Sequence, residues 1–239
     1  MSEPLLRVEG LAAAYGQLQA VRGVSFDVEA GAALAVIGEN GAGKTTLFHS
    51  ICGLHDATGG EVVLAGERLR GVAAHDIVRR GIALVPEGRR IFPSLTVDEN
   101  LRVAEDQHAR RKAAAPRRWT RDRVYQLFPD LRAAARRGGH QISGGQQQML
   151  AIGRALLSEP RVLLLDEVSL GLSPAVVKLL YQALAAIRAE GMTLVFVEQD
   201  VARSLAFSDH LVCLHKGTVR LAGPSRSRSL DEVRRAYFG

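Results

Sequence analysis

A glycine-rich loop at residues 38–46, with the sequence GENGAGKTT, constrains the fold of this chain more than any other feature. It fits the phosphate-binding pattern G-x-x-x-x-G-K-[ST], with an apolar, strand-like run before it and a helical-looking segment after it. In such a loop, backbone N–H groups turn inward around phosphate oxygens, and the following helix presents its positive N-terminal end to the same anion. A plain glycine-rich turn between strand and helix is the alternative, but residues match the pattern on both flanks.

The loop predicts where a nucleotide and its metal ion would bind. We expect Lys44 to reach the β- and γ-phosphates and Thr45 to place its hydroxyl on Mg²⁺. The candidate phosphate-binding residues are Gly38, Asn40, Gly41, Gly43, Lys44, Thr45 and Thr46.

Two carboxylates, Asp166 and Glu167, follow the apolar run 162–165, which is typical of a buried parallel strand. The carboxyl ends of such strands are where open α/β sheets place their chemistry. We expect Asp166 to join the Mg²⁺ shell as a hard oxygen ligand, acting through water, and Glu167 to polarise the water that attacks the γ-phosphate. A surface pair that caps the next element would be the better interpretation if Lys44 were absent.

The stretch Ser143-Gly144-Gly145-Gln146, between the loop and these carboxylates, resembles the signature of the ATP-binding cassette ATPases. A serine-glycine turn before a helix is the alternative. In the family the signature binds the γ-phosphate held by the opposite subunit, so the resemblance implies two cassettes that close head to tail around two ATP molecules. It also implies ATP and Mg²⁺ as cofactors.

Three further positions extend the resemblance along the chain. Tyr15 matches the aromatic residue that stacks on adenine, although an edge tyrosine packed on the sheet is the alternative. Asn100 matches the start of the helical subdomain, preceded by a plausible capping box of Thr96 and Glu99. The segment 169–173 stands where the family has its short inter-subunit loop, as a looser match.

Two departures from the wider superfamily narrow the hypothesis. Glu87 stands where most cassettes have a glutamine, and Gln199 stands at the switch position usually held by histidine. The resemblance makes both candidate catalytic residues, with Glu87 also a candidate metal ligand. An amide donates a hydrogen bond but cannot carry a proton near neutral pH, so an acid or base role at Gln199 is put in doubt. Together with the sequence VRRAYFG at residues 233–239, these two residues make the chain resemble one of the two ATPases of bacterial high-affinity branched-chain amino acid importers.

The alternation of strands and helices along the chain predicts one α/β domain. The resemblance implies a P-loop NTPase (RecA-like) core with an antiparallel β subdomain and an inserted α-helical subdomain. We expect the core at residues 1–87 and 157–239 and the helical subdomain at about 88–156. Ser173 should cap a helix that starts at Pro174, and Lys216-Gly217 should form a hairpin turn. The predicted strand segments are 5–8, 24–28, 34–37, 61–64, 82–85, 162–165, 193–197, 211–215 and 218–221.

The 239 residues, 47% of them apolar, suffice for a sizeable core. Cys52 and Cys213 lie in apolar stretches without metal or disulfide spacing, so we expect reduced core residues. The N-terminal segment lacks the pattern of a secretory signal, and no apolar run approaches the length of roughly 18 residues that a membrane helix needs. The chain is therefore expected in the cytoplasm, meeting the inner face of the cell membrane only through a partner.

Segment 102–137 is strongly basic, with eleven basic residues against four acidic ones in a chain of net charge +6. It could bind nucleic acid or lie beside anionic lipid, but Arg- and Ala-rich helices are usually solvated faces. The lone Trp119 is expected to pack inside the subdomain. The basic residues are Arg102, Arg110, Arg111, Lys112, Arg117, Arg118, Arg121, Arg123, Arg132, Arg136 and Arg137.

These features together favour the ATP-hydrolysing subunit of an importer for branched-chain amino acids. The resemblance implies a second ATPase subunit, a paralogue or a second copy, two transmembrane permease subunits and, indirectly, an extracytoplasmic substrate-binding protein. No nucleic-acid partner is expected. A urea or short-amide importer, an exporter ATPase and a soluble nucleic-acid ATPase stay open as alternatives. A P-loop kinase or GTPase ranks last, because it leaves residues 143–148 unexplained.

Overall fold

The protein, seen in a computed structural model that describes residues 3–109 and 118–238, has two β-sheets and nine α-helices within these ranges. The described strands are β1 (Leu6–Tyr15), β2 (Leu18–Val28), β3 (Ala33–Ile37), β4 (Ala57–Leu64), β5 (Glu67–Arg68), β6 (Ile82–Val85), β7 (Val162–Asp166), β8 (Thr193–Val197), β9 (His210–His215) and β10 (Thr218–Pro224). The described helices are α1 (Lys44–Ile51), α2 (Ala74–Arg80), α3 (Val97–Ala109), α4 (Arg121–Leu127), α5 (Pro129–Ala133), α6 (Gly144–Leu156), α7 (Pro174–Ala189), α8 (Val201–Phe207) and α9 (Leu230–Phe238).

The larger sheet has the order β10-β9-β3-β8-β7-β6 and is parallel except for the β9–β10 hairpin. Every residue of β3, β7 and β8 is buried. Alternate side chains along β3 enter two different clusters, since Ala33, Ala35 and Ile37 pack on one face and Leu34 and Val36 on the other. The sheet is therefore covered on both faces, which explains why its central strands read as continuous apolar runs.

Different elements pack on the two faces of the larger sheet. One cluster joins it to α1 and to the antiparallel sheet, whose order is β2-β1-β4-β5. The other joins it to α7 and to helices α3–α6, which lie between β6 and β7 in the chain. The predicted α/β class with an antiparallel sheet is confirmed. The exact division at residues 88 and 156 stays a prediction.

The local predictions hold with small differences. Each predicted strand segment overlaps an observed strand, and several strands are longer than expected; the short β5 was not predicted. His215 pairs with Thr218 around Lys216-Gly217, as a hairpin turn requires. Ser173 occupies the N-cap position of α7, but its side chain makes no capping hydrogen bond, so that part of the prediction was wrong. Proline in the first turn supplies the favourable backbone angle there instead.

The predictions for the core residues are confirmed. Cys52 and Cys213 are free and buried, and burial raises the pKa of the Cys52 thiol to about 12. Trp119 is 2% exposed and belongs to the cluster beneath the helical segment.

Candidate functional site

The glycine-rich loop joins β3 to α1, as its sequence predicts. Gly41 and Gly43 have φ angles of 81° and 99°. A Cβ on Gly43 would lie 2.3 Å from the carbonyl oxygen of Ala20, and a Cβ on Gly38 would lie 2.3 Å from that of Leu214. Glycine is thus required both for the left-handed turn and for the close approach of two strands. The loop is packed tightly against β2 and β9, which holds its backbone in place.

Lys44, the first residue of α1, is 5% exposed. Its Nζ donates to the carbonyl oxygens of Gly38, at 2.7 Å, and Glu39, at 3.0 Å. The same ammonium lies 3.6 Å from Oε1 of Glu167. Its positive charge is therefore held between the loop and the carboxyl end of β7.

Asp166, the last residue of β7, is fully buried, and neither carboxylate oxygen accepts a hydrogen bond of acceptable geometry. Burial raises the pKa of Asp166 to about 6, and Glu167 and Glu87 act in the same direction. The Thr45 hydroxyl and the Lys44 ammonium offset this only in part. A buried carboxylate without partners is costly unless a cation or donor satisfies it. The site therefore fits a divalent cation held by Asp166 and Thr45.

Glu167 follows Asp166 with a φ of 48°, a left-handed conformation that is unfavourable for a residue with a side chain. Its Oε2 accepts a hydrogen bond of 2.7 Å from Nε2 of Gln199, which follows β8. Because β7 and β8 are parallel neighbours, their carboxyl ends bring these two side chains to one edge of the sheet. The structure thus joins the two candidate residues that the sequence separates by 32 positions.

A cavity of about 400 Å³ lies over this edge of the sheet. It brings together the loop, the carboxylates and the amide that the sequence singled out. Asp166 is not among the lining residues, although Glu167 beside it is, and Glu87 enters from the segment after β6. The lining residues are Ala20, Asn40, Gly41, Gly43, Lys44, Thr45, Thr46, Glu87, Glu167, Leu170 and Gln199.

Ser143 caps α6 in the reciprocal manner of a capping box. Its hydroxyl accepts from the N–H of Gln146 at 3.2 Å, and the Gln146 side chain accepts from the N–H of Ser143 at 3.0 Å. None of the residues 143–146 lines the cavity over Lys44. The structure does not bring this helix start and the phosphate-binding loop of one chain into a single cavity.

The two signature glycines also have a packing role that the sequence did not reveal. A Cβ on Gly144 would lie 2.7 Å from Nη2 of Arg89, and a Cβ on Gly145 would lie 2.6 Å from Cγ1 of Val176. Arg89 also donates to the side chain of Gln147 at 2.8 Å, so it links the loop after β6 to α6. No local pattern marks Arg89, because its partners lie 55 or more residues away.

Tyr15 ends β1 and is 52% exposed. Its ring stacks on His55 with centroids 4.3 Å apart, and it does not line the cavity over Lys44. Its exposed ring can still offer a face to a base, so the adenine role stays a prediction.

Asn100 is fully buried in α3, and its side chain holds the preceding segment in place by hydrogen bonds. Its amide nitrogen donates to the carbonyls of Phe92, Leu95 and Thr96, and its oxygen accepts from the N–H of Phe92. The predicted capping box of Thr96 and Glu99 is present. The segment after Glu87 is therefore pinned to the start of the helical region.

The described part of the basic segment is largely ion-paired. Arg121 binds Asp98 and Glu105, and Arg123 binds Glu190. Pairing of this kind favours the solvated-face interpretation over a nucleic-acid surface. Some predicted positions lie outside the described residues, namely Arg110, Arg111, Lys112, Arg117 and Gly239.

Within residues 3–109 and 118–238, none of the helices has both the length and the apolar composition of a membrane-spanning helix. A family profile described as "ABC transporter" matches residues 21–169. The chain is 38% identical to the high-affinity branched-chain amino acid transport ATP-binding protein BraG of Pseudomonas aeruginosa, over 98% of this chain and all of the relative. It is 35% identical to the protein BraF of the same organism, named in the same way, over 100% of this chain and 99% of that one.

Solved structures agree with these sequence relatives. An ATP-binding subunit of an ABC transporter superimposes with a TM-score of 0.82, at 29% identity, over 98% of this chain and 100% of that one. A nucleotide-free ATP-binding cassette, at 24% identity, has the same TM-score of 0.82 over 99% of this chain and 96% of that one, which shows the shared fold. The resemblance drawn from residues 38–46, 143–146 and 166–167 is confirmed.

Proposed function

Since this chain belongs to the ABC transporter family, as an ATPase subunit homologous to branched-chain amino acid transport proteins, we propose that it hydrolyses ATP to drive the import of branched-chain amino acids. One observation carries the chemical part of the proposal. The 400 Å³ cavity combines a phosphate-binding loop, a buried lysine and the hydrogen-bonded pair Glu167–Gln199 over an unsatisfied aspartate.

The phosphates of ATP would lie on the N–H groups of residues 38–46, with Lys44 donating to the β- and γ-phosphates. Thr45 and Asp166 would hold Mg²⁺, Asp166 through water, and Glu87 stands at the same cavity as a further oxygen ligand. The ion would neutralise the charge that develops on the transferred phosphoryl group. It would also end the electrostatic cost of leaving Asp166 charged and unpaired.

Glu167 would orient and polarise the attacking water, because its carboxylate enters the cavity opposite the loop. Gln199 would hold that carboxylate in place and offer N–H groups to the γ-phosphate. Because a glutamine amide does not titrate near neutral pH, Gln199 would work by positioning alone. Ser143 to Gln146 would bind the γ-phosphate of a second cassette, which explains why they lie outside this chain's own cavity.

The second cassette is proposed to be a related protein rather than a second copy. Pseudomonas aeruginosa has both BraG and BraF, and this chain is similar to each. Two permease subunits would receive the closing motion through the segment from Glu87 to Pro93, and a substrate-binding protein would deliver the amino acid to them. The chain would accordingly work at the cytoplasmic face of the membrane.

The experiment compares the wild type with Lys44→Ala and Glu167→Gln by ATP binding, ATP turnover and solution mass. We expect Lys44→Ala to lose ATP binding or turnover, and Glu167→Gln to bind ATP while losing most turnover. Blocked hydrolysis should also accumulate a closed dimer with ATP and Mg²⁺ when Glu167→Gln is mixed with the proposed related cassette. Glu67→Gln, an exposed position in the antiparallel sheet, is the matched control and should behave as wild type.

Two results would contradict the proposal in different ways. Normal ATP turnover in Lys44→Ala would show that the nucleotide does not bind in this cavity. A second assay measures ATP turnover in the complex with its permeases. Stimulation by urea or short amides, without stimulation by leucine-loaded binding protein, would refute the proposed branched-chain amino acid substrate. A Glu167→Gln protein that binds ATP but stays monomeric would support the paralogue as partner, and mixing with that paralogue should then restore the dimer.

A further inference from the structure

Glu198, the residue between β8 and Gln199, is a buried carboxylate that the proposed chemistry does not use. It is 3% exposed, whereas Gln199 next to it is exposed to the cavity. Gln199 lines the cavity over Lys44, whereas Glu198 does not. A carboxylate is buried only where other groups satisfy it, and its partners therefore indicate its purpose.

Both partners are hydroxyl groups from elements that follow Glu167 in the chain. Oε2 of Glu198 accepts from the hydroxyl of Ser169 at 2.9 Å, and Oε1 accepts from the hydroxyl of Tyr181 at 2.9 Å. Ser169 is two residues beyond Glu167, and Tyr181 lies within α7. Hydrogen bonds to an ionised acceptor are stronger than those between neutral groups. Glu198 thus fastens the end of β8 to both the Glu167 loop and α7.

The loop needs such a fastening because of the backbone of Glu167. Its φ of 48° is disfavoured for a residue with a Cβ and persists only where the surroundings hold it. The N–H of Glu167 donates to the carbonyl of Val197 at 3.2 Å, and the N–H of Leu170 donates to the carbonyl of Glu167 at 3.1 Å. The Ser169–Glu198 bond adds a side-chain constraint immediately after the strained residue.

The contacts form a closed ring around the catalytic carboxylate. Glu167 accepts from Gln199 at one end of the segment 167–169, and Ser169 donates to Glu198 at the other end. Since Glu198 and Gln199 are neighbours, displacing the loop from Glu198 would also move Glu167 relative to Gln199.

We infer that Glu198 is a positioning residue for hydrolysis, which holds the Glu167 carboxylate against Gln199 by anchoring the loop at Ser169 and helix α7 at Tyr181. This inference rests on the proposed role of Glu167. Glu198 touches no nucleotide in this scheme, so its loss should affect the turnover of bound ATP and leave ATP binding unchanged.

The test measures kcat and KM for ATP hydrolysis, together with ATP affinity, in Ser169→Ala, Glu198→Gln and the double variant. Removing one hydrogen bond to a charged group should lower kcat by about tenfold, with KM and affinity within about twofold of wild type. The kcat of the double variant should lie within about twofold of the kcat of the slower single variant, because the effects of substitutions in one hydrogen-bond network do not add. Ser169→Thr keeps the hydroxyl and should restore most of kcat.

Tyr181→Phe tests the second contact, and Tyr125→Phe is its matched control. Tyr125 also donates to a carboxylate, that of Asp98 at 3.0 Å, but within the helical region. We expect a lower kcat only for Tyr181→Phe. If Glu198→Gln fails to fold, Ser169→Ala and its threonine rescue carry the test alone.

Wild-type kcat in Ser169→Ala, equal activity of the alanine and threonine variants, or a change confined to KM would each overturn the inference. Glu167→Gln measured in parallel separates this failure from that of the proposed function. If Glu167→Gln loses turnover while Ser169→Ala does not, only the role of Glu198 is refuted. If Glu167→Gln retains turnover, the assignment of the hydrolytic site itself is wrong.

Discussion

Replacement of Asp166 by asparagine should stabilise the nucleotide-free protein while it removes the proposed Mg²⁺ ligand. The carboxylate is fully buried and accepts no hydrogen bond of acceptable geometry. Its ionised form therefore costs free energy that a neutral amide of the same shape does not cost. A site prepared for a divalent cation is unfavourable until the cation binds.

The size of the effect follows from the pKa of Asp166, which burial raises from 3.8 to about 6. Between these two values the folded protein retains a proton that the unfolded chain has lost, so the stability of the wild type falls as pH rises. Above pH 6 the loss is complete at about 3 kcal/mol, and at pH 5 it is about half of that. For a chain of this length, about 3 kcal/mol corresponds to a shift in Tm of roughly 6–12 °C.

The assay is thermal unfolding of wild type and Asp166→Asn in EDTA, without nucleotide, from pH 5 to pH 8. The Tm of the variant should exceed that of the wild type at pH 8, and the gap should narrow towards pH 5. Asp209→Asn is a control in which the pKa of the carboxyl group is shifted in the opposite direction, and the expected change in Tm is therefore also opposite. Burial alone would raise the pKa of Asp209, but the Ala33 N–H and the Arg188 guanidinium hold it below its usual range. That variant should be less stable than wild type at pH 8, and the loss should shrink only as pH falls through the low pKa of Asp209.

An equal or lower Tm for Asp166→Asn at pH 8 would refute the reasoning. It would mean that Lys44 and Thr45 compensate the buried charge fully in the free protein. A gap that stays constant across the pH range would show that ionisation of Asp166 is not its cause.

Two further predictions concern residues on either side of the cavity. Asn100→Ala should lower the free energy of urea-induced unfolding by about 2–4 kcal/mol, because it removes the hydrogen bonds that a fully buried amide makes to the backbone of Phe92, Leu95 and Thr96. Ser94→Ala, an exposed position in the same segment, should change little. An unaltered unfolding midpoint in Asn100→Ala would contradict the role of Asn100 in pinning this segment. Gln199→His should retain ATP turnover or raise it modestly, since an imidazole N–H can still donate to Glu167, whereas loss of the folded state by circular dichroism would show that residue 199 does not occupy the switch position.

The local features of this fold could be predicted from the sequence because their causes are local. Residues 38–46 carry the glycines that a tight anion-binding turn requires, and 162–165 carry the apolar run of a strand covered on both faces. The capping pair of Thr96 and Glu99 is likewise three residues apart in the chain. The failure at Ser173 is also local, since position and residue type indicate a cap but do not decide the rotamer.

The relations between distant segments were decided by the tertiary structure. Sequence alone marked Asp166, Glu167 and Gln199, but only the parallel pairing of β7 with β8 places Glu167 and Gln199 in contact. Only the packing of the chain shows that neither oxygen of Asp166 accepts a hydrogen bond of acceptable geometry. It marked 143–146 as a signature, but only packing shows that Gly145 must lack a side chain to admit Val176. Glu198 carried no signal, because its hydroxyl partners lie 29 and 17 residues away. Backbone turns and burial patterns are properties of a few consecutive residues, whereas the satisfaction of a buried charge depends on which elements the whole chain packs around it.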